Sequence, residues 1–315
     1  MNDDLERWQE KNQRYLGAAL AWLHLRLAHV AESYASVRTP SPGDRPFWRK
    51  MLELPETAME TGEPGKPQDA PADQRSAGRP RYGREMAQAV SAMAQAEALD
   101  PPPALMILGR RFGLSRFERE VLLLCTAMEL DTRIARLCAR AQDDPSRPYP
   151  TFALAMALFD EPAWDVLSPE RPLRYWRLIE INQPKGQPLT TSPLRAEERI
   201  VNYVKGLNYL DDRLSPLLIP LDVERGEAAL APSQQDAVDT IVERLERSGP
   251  AGSAPVIQLV GPDALSKQLV AGRAAGALGL HLYRMPADLL PTQAADLENI
   301  ARLWQRESIL LPVAL

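Results

Sequence analysis

Residues 175–181 (YWRLIEI) depart from the helical period of the preceding sequence and come close to a two-residue alternation of apolar and polar side chains. This period is typical of a β-strand with one buried face. A turn signal over residues 183–186 (QPKG) and an extended stretch over residues 187–191 follow it. The sequence therefore predicts a β-hairpin over residues 175–191.

Several short helices are predicted on both sides of this hairpin. Three prolines after Asp100 end a helix over residues 83–99, because the residue before a proline leaves the α region. Ser115 and Glu118 then have the spacing of a capping box at the start of another helix. Short helices followed by a hairpin predict a winged-helix module, which we place within a helical domain at residues 83–230. A plain helical bundle with an added hairpin is the alternative.

Two further segments precede this domain. Residues 1–38 place apolar side chains every three or four positions, which predicts one long amphipathic helix. A single helix cannot bury such a face, so it packs either on the next domain or on another chain. The chain has 29 prolines, about twice the usual frequency of roughly 5%. Many of them fall in residues 39–82, which we interpret as a flexible linker rich in proline and glycine.

The last block, residues 231–315, alternates helical and strand-like patterns. Strands are predicted over residues 255–260 and 280–285, helices follow each of them, and an apolar run closes the sequence at residues 308–315. This order predicts a partial α/β domain with a parallel sheet of the P-loop type. Because the sequence stops inside the third predicted strand, we expect the chain to be part of a longer protein or a shortened form of it.

The loop after the first of these strands, residues 261–268 (GPDALSKQ), resembles a phosphate-binding loop. Such a loop needs G-x-x-x-x-G-K-[ST], whose glycines expose backbone N–H groups and whose hydroxyl binds Mg²⁺. Gly261 and Lys267 stand at the correct spacing, but Ser266 replaces the second glycine and Gln268 replaces the hydroxyl. We therefore expect a degenerate nucleotide site with Gly261 and Lys267 as its candidate residues. An ordinary loop with a chance lysine is the alternative.

Composition excludes several classes of protein. The 37 basic and 42 acidic side chains give a net charge of −5 at pH 7. The two cysteines, Cys125 and Cys138, lie in apolar helical stretches and are expected to be buried free thiols. The three histidines do not pair with them at zinc-ligand spacing, so no metal site is expected. The acidic start is unlike a secretory signal, and no apolar run is long enough to cross a membrane. We expect a cytoplasmic protein without catalytic residues in this chain.

A winged helix raises the question of nucleic-acid binding. Reading DNA would require lysine and arginine on the helix and hairpin that face the duplex. The candidates near the hairpin are Arg171, Arg174, Arg177 and Lys185, and Glu170 and Glu180 lie among them. This is a weak basic surface, so nucleic acid is not expected as a partner.

Three segments within residues 101–221 suggest a family. Residues 112–118 (FGLSRFE), 172–180 (PLRYWRLIE) and 206–212 (GLNYLDD) resemble the N-terminal half of AAA-family ATPases encoded with bacterial contractile injection systems. The resemblance implies that a degenerate first ATPase-like module is followed by an intact one beyond residue 315. ATP would then be bound and hydrolysed only in the full-length protein.

The resemblance also implies a function. This chain would be the regulatory part of an ATPase that assembles or remodels protein complexes, with protein partners on the winged helix and N-terminal helix. The full-length protein would form a homo-oligomeric ring. The alternative is a non-catalytic adaptor that uses both folds for protein–protein interaction, and a DNA-binding regulator is the third candidate.

Overall fold

The computed structural model describes residues 2–37, 79–221, 230–248 and 255–315. These residues divide into two compact units, Met1–Leu207 and Asn208–Leu315. The linker predicted over residues 39–82 lies outside the described residues, except for its last four positions, which begin a helix. None of the helices in the described ranges is long and apolar enough to span a membrane.

The first unit is mainly helical and contains one small sheet. Its helices are α1 (Asn2–Val37), α2 (Arg79–Glu97), α3 (Ala104–Phe112), α4 (Arg116–Leu130), α5 (Arg133–Ala141), α6 (Phe152–Leu158), α7 (Pro172–Tyr175) and α8 (Glu198–Lys205). Its two strands are β1 (Ile179–Ile181) and β2 (Leu194–Ala196), and two short 3₁₀ helices cover Trp164–Leu167 and Leu189–Thr191.

Helix α1 packs within its own unit, against α2 and α5. Near the start of α2, the Tyr82 hydroxyl donates to the Leu25 carbonyl over 3.1 Å. At the other end of α2, Glu97 lies beside Tyr15. The two helices therefore run antiparallel. The amphipathic pattern of residues 1–38 finds its partner in the same chain, which is the first of the two arrangements that the sequence left open.

The apolar face of α1 explains this packing. Leu16, Leu23 and Leu27 follow the helical period and are buried, as is Trp22, which stacks on Phe159 with ring centroids 5.8 Å apart. Burying a leucine side chain contributes about 1.5–3 kcal/mol relative to leaving it exposed. This face of α1 is therefore an integral part of the core of the first unit.

The hairpin forms, but its second strand lies further along the chain than the sequence predicted. β1 pairs antiparallel with β2 in the register Ile179↔Ala196. The prediction of a return strand over residues 187–191 is wrong, because Leu189–Thr191 forms a 3₁₀ helix and the Thr191 N–H donates to the Pro188 carbonyl over 3.1 Å. β2 instead begins after Pro193, where Leu194 and Ala196 are buried on either side of an exposed Arg195.

The second unit is built around a short mixed sheet. Its elements are β3 (Ile219–Pro220), α9 (Pro232–Ser248), α10 (Ala264–Ala277), β4 (His281–Arg284), α11 (Ala294–Leu310) and β5 (Val313–Ala314), with 3₁₀ helices at Ser215–Leu217 and Ala287–Leu289. The sheet order is β3-β4-β5. β4 and β5 are parallel, as the alternation of helix and strand predicted, whereas β3 is antiparallel to β4 and was not predicted.

The strand predicted over residues 255–260 is not formed. Ile257 and Leu259 pack on the apolar cluster between α9 and α10, but Val256 is 95% exposed and Val260 85% exposed. Within the described ranges, no neighbouring strand pairs with this extended segment. A strand needs such a neighbour to satisfy its backbone N–H and C=O groups. The fully parallel P-loop-type sheet expected from the sequence is therefore not present in the described residues.

The end of the chain also differs from the prediction. The apolar run at residues 308–315 was expected to be one strand, but α11 continues through Leu310 and only Val313–Ala314 pairs with β4. Leu310 is buried, and Arg306 and Glu307 in the preceding turn are fully buried and paired with each other. These contacts favour the helical conformation over the strand in this part of the run.

Candidate functional site

The hairpin and the segment before it form the first candidate site. In that segment Arg171 donates to the Oε2 atom of Glu118 over 2.8 Å, and its Nε lies 3.4 Å from Asp165. Arg174 donates to the backbone carbonyl of Leu167. Two of the four basic side chains that could contact DNA therefore bind groups within the first unit instead.

Of the remaining two candidates, one lies before the hairpin and the other in its loop. Arg177 adopts a positive φ of 52° where the chain turns from α7 into β1. Lys185 is exposed in the loop between the strands, which turns through Gly186 at a φ of 81°. No other charged residue occurs between β1 and β2. On β2, Arg195 pairs with Glu129 over 3.1 Å. The structure does not gather these cations into one continuous basic surface.

Helix α6, which precedes this segment, also lacks the features of a DNA-recognition helix. α6 carries only apolar side chains, and Phe152, Leu154 and Leu158 are buried. Its N-cap, Thr151, accepts the Leu154 N–H over 3.0 Å, so the helix is held firmly in the core. A recognition helix needs polar side chains that reach base edges, and α6 has none to offer.

An exposed aromatic residue precedes the hairpin in the chain and was missed by the sequence analysis. Trp164 begins the 3₁₀ helix Trp164–Leu167 and is 56% exposed, whereas Val166 two positions later is fully buried. Asp165, between them, lies beside Arg171. The only signal in the sequence is a tryptophan in a short segment between Pro162 and Pro169 that follows Asp160 and Glu161.

The phosphate-loop-like turn is the second candidate site. Gly261 is exposed just before α10, and Lys267 is half-buried in the first turn of that helix. Between them Asp263 is the N-cap, and its carboxylate accepts the N–H groups of Leu265 and Ser266, each over 3.1 Å. The structure thus brings Gly261 and Lys267 to the same helix start, around a carboxylate that the motif of a phosphate loop does not contain.

This carboxylate changes what the turn can bind. Hydrogen bonds from the Ser266 side chain, and then from the backbone N–H groups of Ser266 and Leu265, hold the pKa of Asp263 below its usual range. A phosphate at a helix N-terminus uses the same backbone donors and favours the same positive end of the helix dipole. Asp263 therefore competes for the donors that a nucleotide would need, and its charge repels a phosphate.

The cysteines offer no reactive site. Cys125 and Cys138 are free and buried, as the sequence predicted. Burial raises the pKa of both thiols, that of Cys138 to about 12. Since the thiolate is the reactive form, both groups are inert near neutral pH. Among the described residues, no group of three or more histidine, cysteine or carboxylate side chains is placed to hold a metal ion.

Comparison with known families supports the architecture of the helical unit. A family model described as "Winged helix domain, variant" matches residues 10–218, well over half of the chain. The chain belongs to this winged-helix family. The matched region begins within α1 and includes the hairpin β1–β2, so the winged-helix prediction is confirmed. No curated protein and no solved structure gives a significant match to the chain.

Membership of the winged-helix family indicates only the general kind of function. Winged-helix domains bind DNA or proteins, and this chain carries such a domain. The match does not extend to α9, α10 or the turn between Gly261 and Lys267. The resemblance of the whole chain to AAA-family ATPases therefore stays a prediction.

Proposed function

We propose that the winged-helix domain of this chain binds proteins, and that the chain is the regulatory and interaction part of a AAA-type ATPase that assembles or remodels protein complexes. The main support for protein binding is that two of the arginines near the hairpin already have partners. Arg171 and Arg174 bond inside the domain, whereas Trp164 in the same segment is exposed.

Electrostatics argue against DNA as the partner. Affinity for DNA comes largely from the neutralisation of phosphates by lysine and arginine. The loop between β1 and β2 supplies one cation, Lys185, and Glu180 is exposed on the adjoining strand. Arg195 is already matched by Glu129. An exposed lysine beside an exposed glutamate is a weak binding surface for phosphate.

The exposed tryptophan favours a protein partner. Tryptophan is enriched among the few residues that dominate the binding energy of protein interfaces. Trp164 is fixed in position because Val166 is buried beside it and because Asp165 lies next to Arg171. It therefore offers a rigid apolar contact whose backbone is already ordered before binding, which lowers the entropy cost of association.

The ATPase half of the proposal rests on the family resemblance and on the turn at α10. If an intact ATPase module accompanies this chain, the turn between Gly261 and Lys267 acts as a structural element and ATP is bound elsewhere. The carboxylate of Asp263 at the helix N-terminus supports this division of roles. It equally supports the adaptor alternative for a protein that has no second module.

One experiment tests the choice of partner. The chain is titrated into a labelled mixed-sequence DNA duplex, and fluorescence anisotropy is measured at two salt concentrations. Non-specific DNA-binding proteins reach a Kd of about 10⁻⁴–10⁻⁶ M at physiological salt. We expect no saturation in that range. Binding that is steeply salt-dependent and weakened by Lys185→Gln would overturn the proposal.

A second arm looks for the protein partner in the native cell. A photo-crosslinking amino acid is placed at Trp164, and a matched control places it at Lys185 in the hairpin loop. We expect a discrete protein adduct from position 164 that is weaker or absent from position 185. Nucleic-acid adducts at either position would count against a protein-binding winged helix.

A further inference from the structure

A cavity in the first unit has no place in the proposed function. Its volume is about 320 Å³, and it lies among α1, α2, α3 and α4. Most of its wall is apolar and includes Trp22, Met93, Leu105, Met106 and Leu123. Pockets that bind small molecules have volumes of roughly 300–1,000 Å³ and are lined mainly by apolar side chains. The cavity is therefore of a size and character that suit a small ligand.

One charged side chain on the cavity wall stands out. Arg119 on α4 is partly buried, and its aliphatic stem crosses α3 directly above Gly109. A Cβ atom at Gly109 would lie only 2.5 Å from Cδ of Arg119, so the glycine leaves room for the arginine to reach the cavity. Among the residues that the structure describes, no carboxylate forms an ion pair with the Arg119 guanidinium.

The other charged groups at the cavity each have a partner in the first unit. Arg116 pairs with Glu120 over 3.1 Å, and the Glu97 carboxylate accepts a hydrogen bond from the buried phenol of Tyr15. Burial, and then the adjacent Glu97, raise the pKa of Tyr15, so that this phenol stays neutral. The Arg119 guanidinium has no carboxylate partner in the described part of the chain, and its planar set of N–H donors matches a carboxylate.

We propose that this cavity binds a small monocarboxylate, with its carboxylate on Arg119 and an aryl or short alkyl body against Trp22, Met93 and Met106. The ligand is expected to carry only one negative charge. Glu97 and Glu120 also line the cavity, and Arg119 offers one positive charge to the ligand, so a second negative charge, as on a phosphate monoester, would be repelled without compensation. The inference does not depend on the protein-binding role of the hairpin region, and each can fail without the other.

The test uses the full chain and 3-phenylpropionate as the probe, with isothermal titration calorimetry at neutral pH. An acid of this size is expected to bind with a Kd of about 0.1–1 mM. The uncharged analogue 3-phenylpropionamide should bind at least about tenfold more weakly, because it cannot form the charge-assisted pair. Arg119→Gln should weaken binding of the acid by a similar factor.

Two further variants make the result specific. Arg136→Gln removes an exposed arginine on α5 that does not line the cavity, and it should leave the Kd unchanged within about twofold. Ala94→Phe introduces a large side chain at the cavity wall on α2 and should abolish binding while Arg119 is intact. Circular dichroism of each variant shows whether it is folded.

The proposal is overturned by a failure of the acid to bind or by binding that does not depend on its charge or on Arg119. The first result is that neither 3-phenylpropionate nor hexanoate binds the wild-type chain at concentrations up to about 10 mM. The second is that the amide binds as tightly as the acid, or that folded Arg119→Gln binds as tightly as wild type. If Arg119→Gln does not fold, the comparison of acid and amide on the wild-type chain decides the matter.

Discussion

Arg171 donates a hydrogen bond to the Oε2 atom of Glu118 over 2.8 Å, although 53 positions separate the two residues in the chain. The same oxygen accepts the Ser115 N–H over 2.8 Å, as one half of the capping box at the start of α4. Glu118 is almost fully buried. One carboxylate thus caps a core helix and fixes the segment that leads into the hairpin.

We predict that Glu118→Gln destabilises the chain by about 1–3 kcal/mol, because a glutamine oxygen can still accept the Ser115 N–H but loses the charge-assisted bond to Arg171. Urea unfolding followed by circular dichroism measures the change. Glu170→Gln, an exposed position nearby, is the matched control and should shift the midpoint little. Equal midpoints for the two variants would show that the Arg171 contact adds nothing to stability.

A second buried polar side chain joins α1 to the rest of the winged-helix domain. Asn12 donates from Nδ2 to the Val204 carbonyl on α8, and its Oδ1 accepts the Ala104 N–H at the start of α3, both over 2.9 Å. Only about 1% of Asn12 is exposed. These two bonds hold α1 in register against both helices.

We predict that Asn12→Leu lowers the free energy of unfolding by about 2–4 kcal/mol, since it leaves the Ala104 N–H and the Val204 carbonyl buried without partners. The leucine recovers part of this loss by burying apolar surface. Thermal and urea unfolding give the value, and Gln13→Leu on the exposed side of α1 is the control. Similar stability of the two variants would mean that α1 is not locked to the domain through Asn12.

These examples show which features the sequence could and could not predict. The capping box and the apolar face of α1 are set by neighbours three and four positions apart, so their spacing was sufficient. The Glu118–Arg171 pair joins residues far apart in sequence, and no local pattern encodes it. The exposed Trp164 was missed for a related reason, because exposure depends on which elements pack around a residue.

The strands failed for two different physical reasons. The return strand was placed too early because the side chains of residues 187–191 are compatible with an extended conformation. Which residues pair with β1 depends instead on the length of the loop that joins the two strands. Residues 255–260 have a convincing apolar pattern, but pairing needs a neighbouring strand, and none lies beside them in the described residues. Composition identifies a segment that suits a sheet, but the sheet itself depends on distant partners.

Asp211 gives the second unit a dependence on pH. It accepts hydrogen bonds from Arg213 over 2.6 and 2.9 Å and pairs with the fully buried Arg306. Burial alone raises the pKa of Asp211, but hydrogen bonds from Arg213 and the charges of both arginines outweigh it and hold the pKa below its usual range. The carboxylate is therefore more acidic in the folded chain than in the unfolded one.

Linkage then fixes the direction of the effect. The stabilisation is fully present above the unfolded pKa of about 3.9 and is lost as the pH falls through the lower folded pKa. We predict that hydrogen-exchange protection of α11 is constant from about pH 7 to pH 5 and decreases below about pH 4. Asp211→Asn should lower this protection by about 3 kcal/mol and reduce its acid dependence. Asp212→Asn is the exposed control, and an identical acid profile in both variants would rule out Asp211 as the group responsible.

The last prediction concerns Lys267, the residue that most resembles part of a nucleotide site. Its helix begins at a turn whose first donors are taken by Asp263, and the position after it is Gln268 in place of the hydroxyl that binds Mg²⁺. We expect Lys267→Ala to leave the ATPase rate of any longer form that contains this chain within about twofold of wild type. Steady-state phosphate release measures the rate, and Lys185→Ala serves as the matched lysine control.

A loss of tenfold or more, about 1.4 kcal/mol in the barrier, would show that this turn takes part in hydrolysis despite its cap. In that case Asp263 must move away from the Leu265 and Ser266 N–H groups when nucleotide binds, and Asp263→Ala should then increase the affinity for ATP.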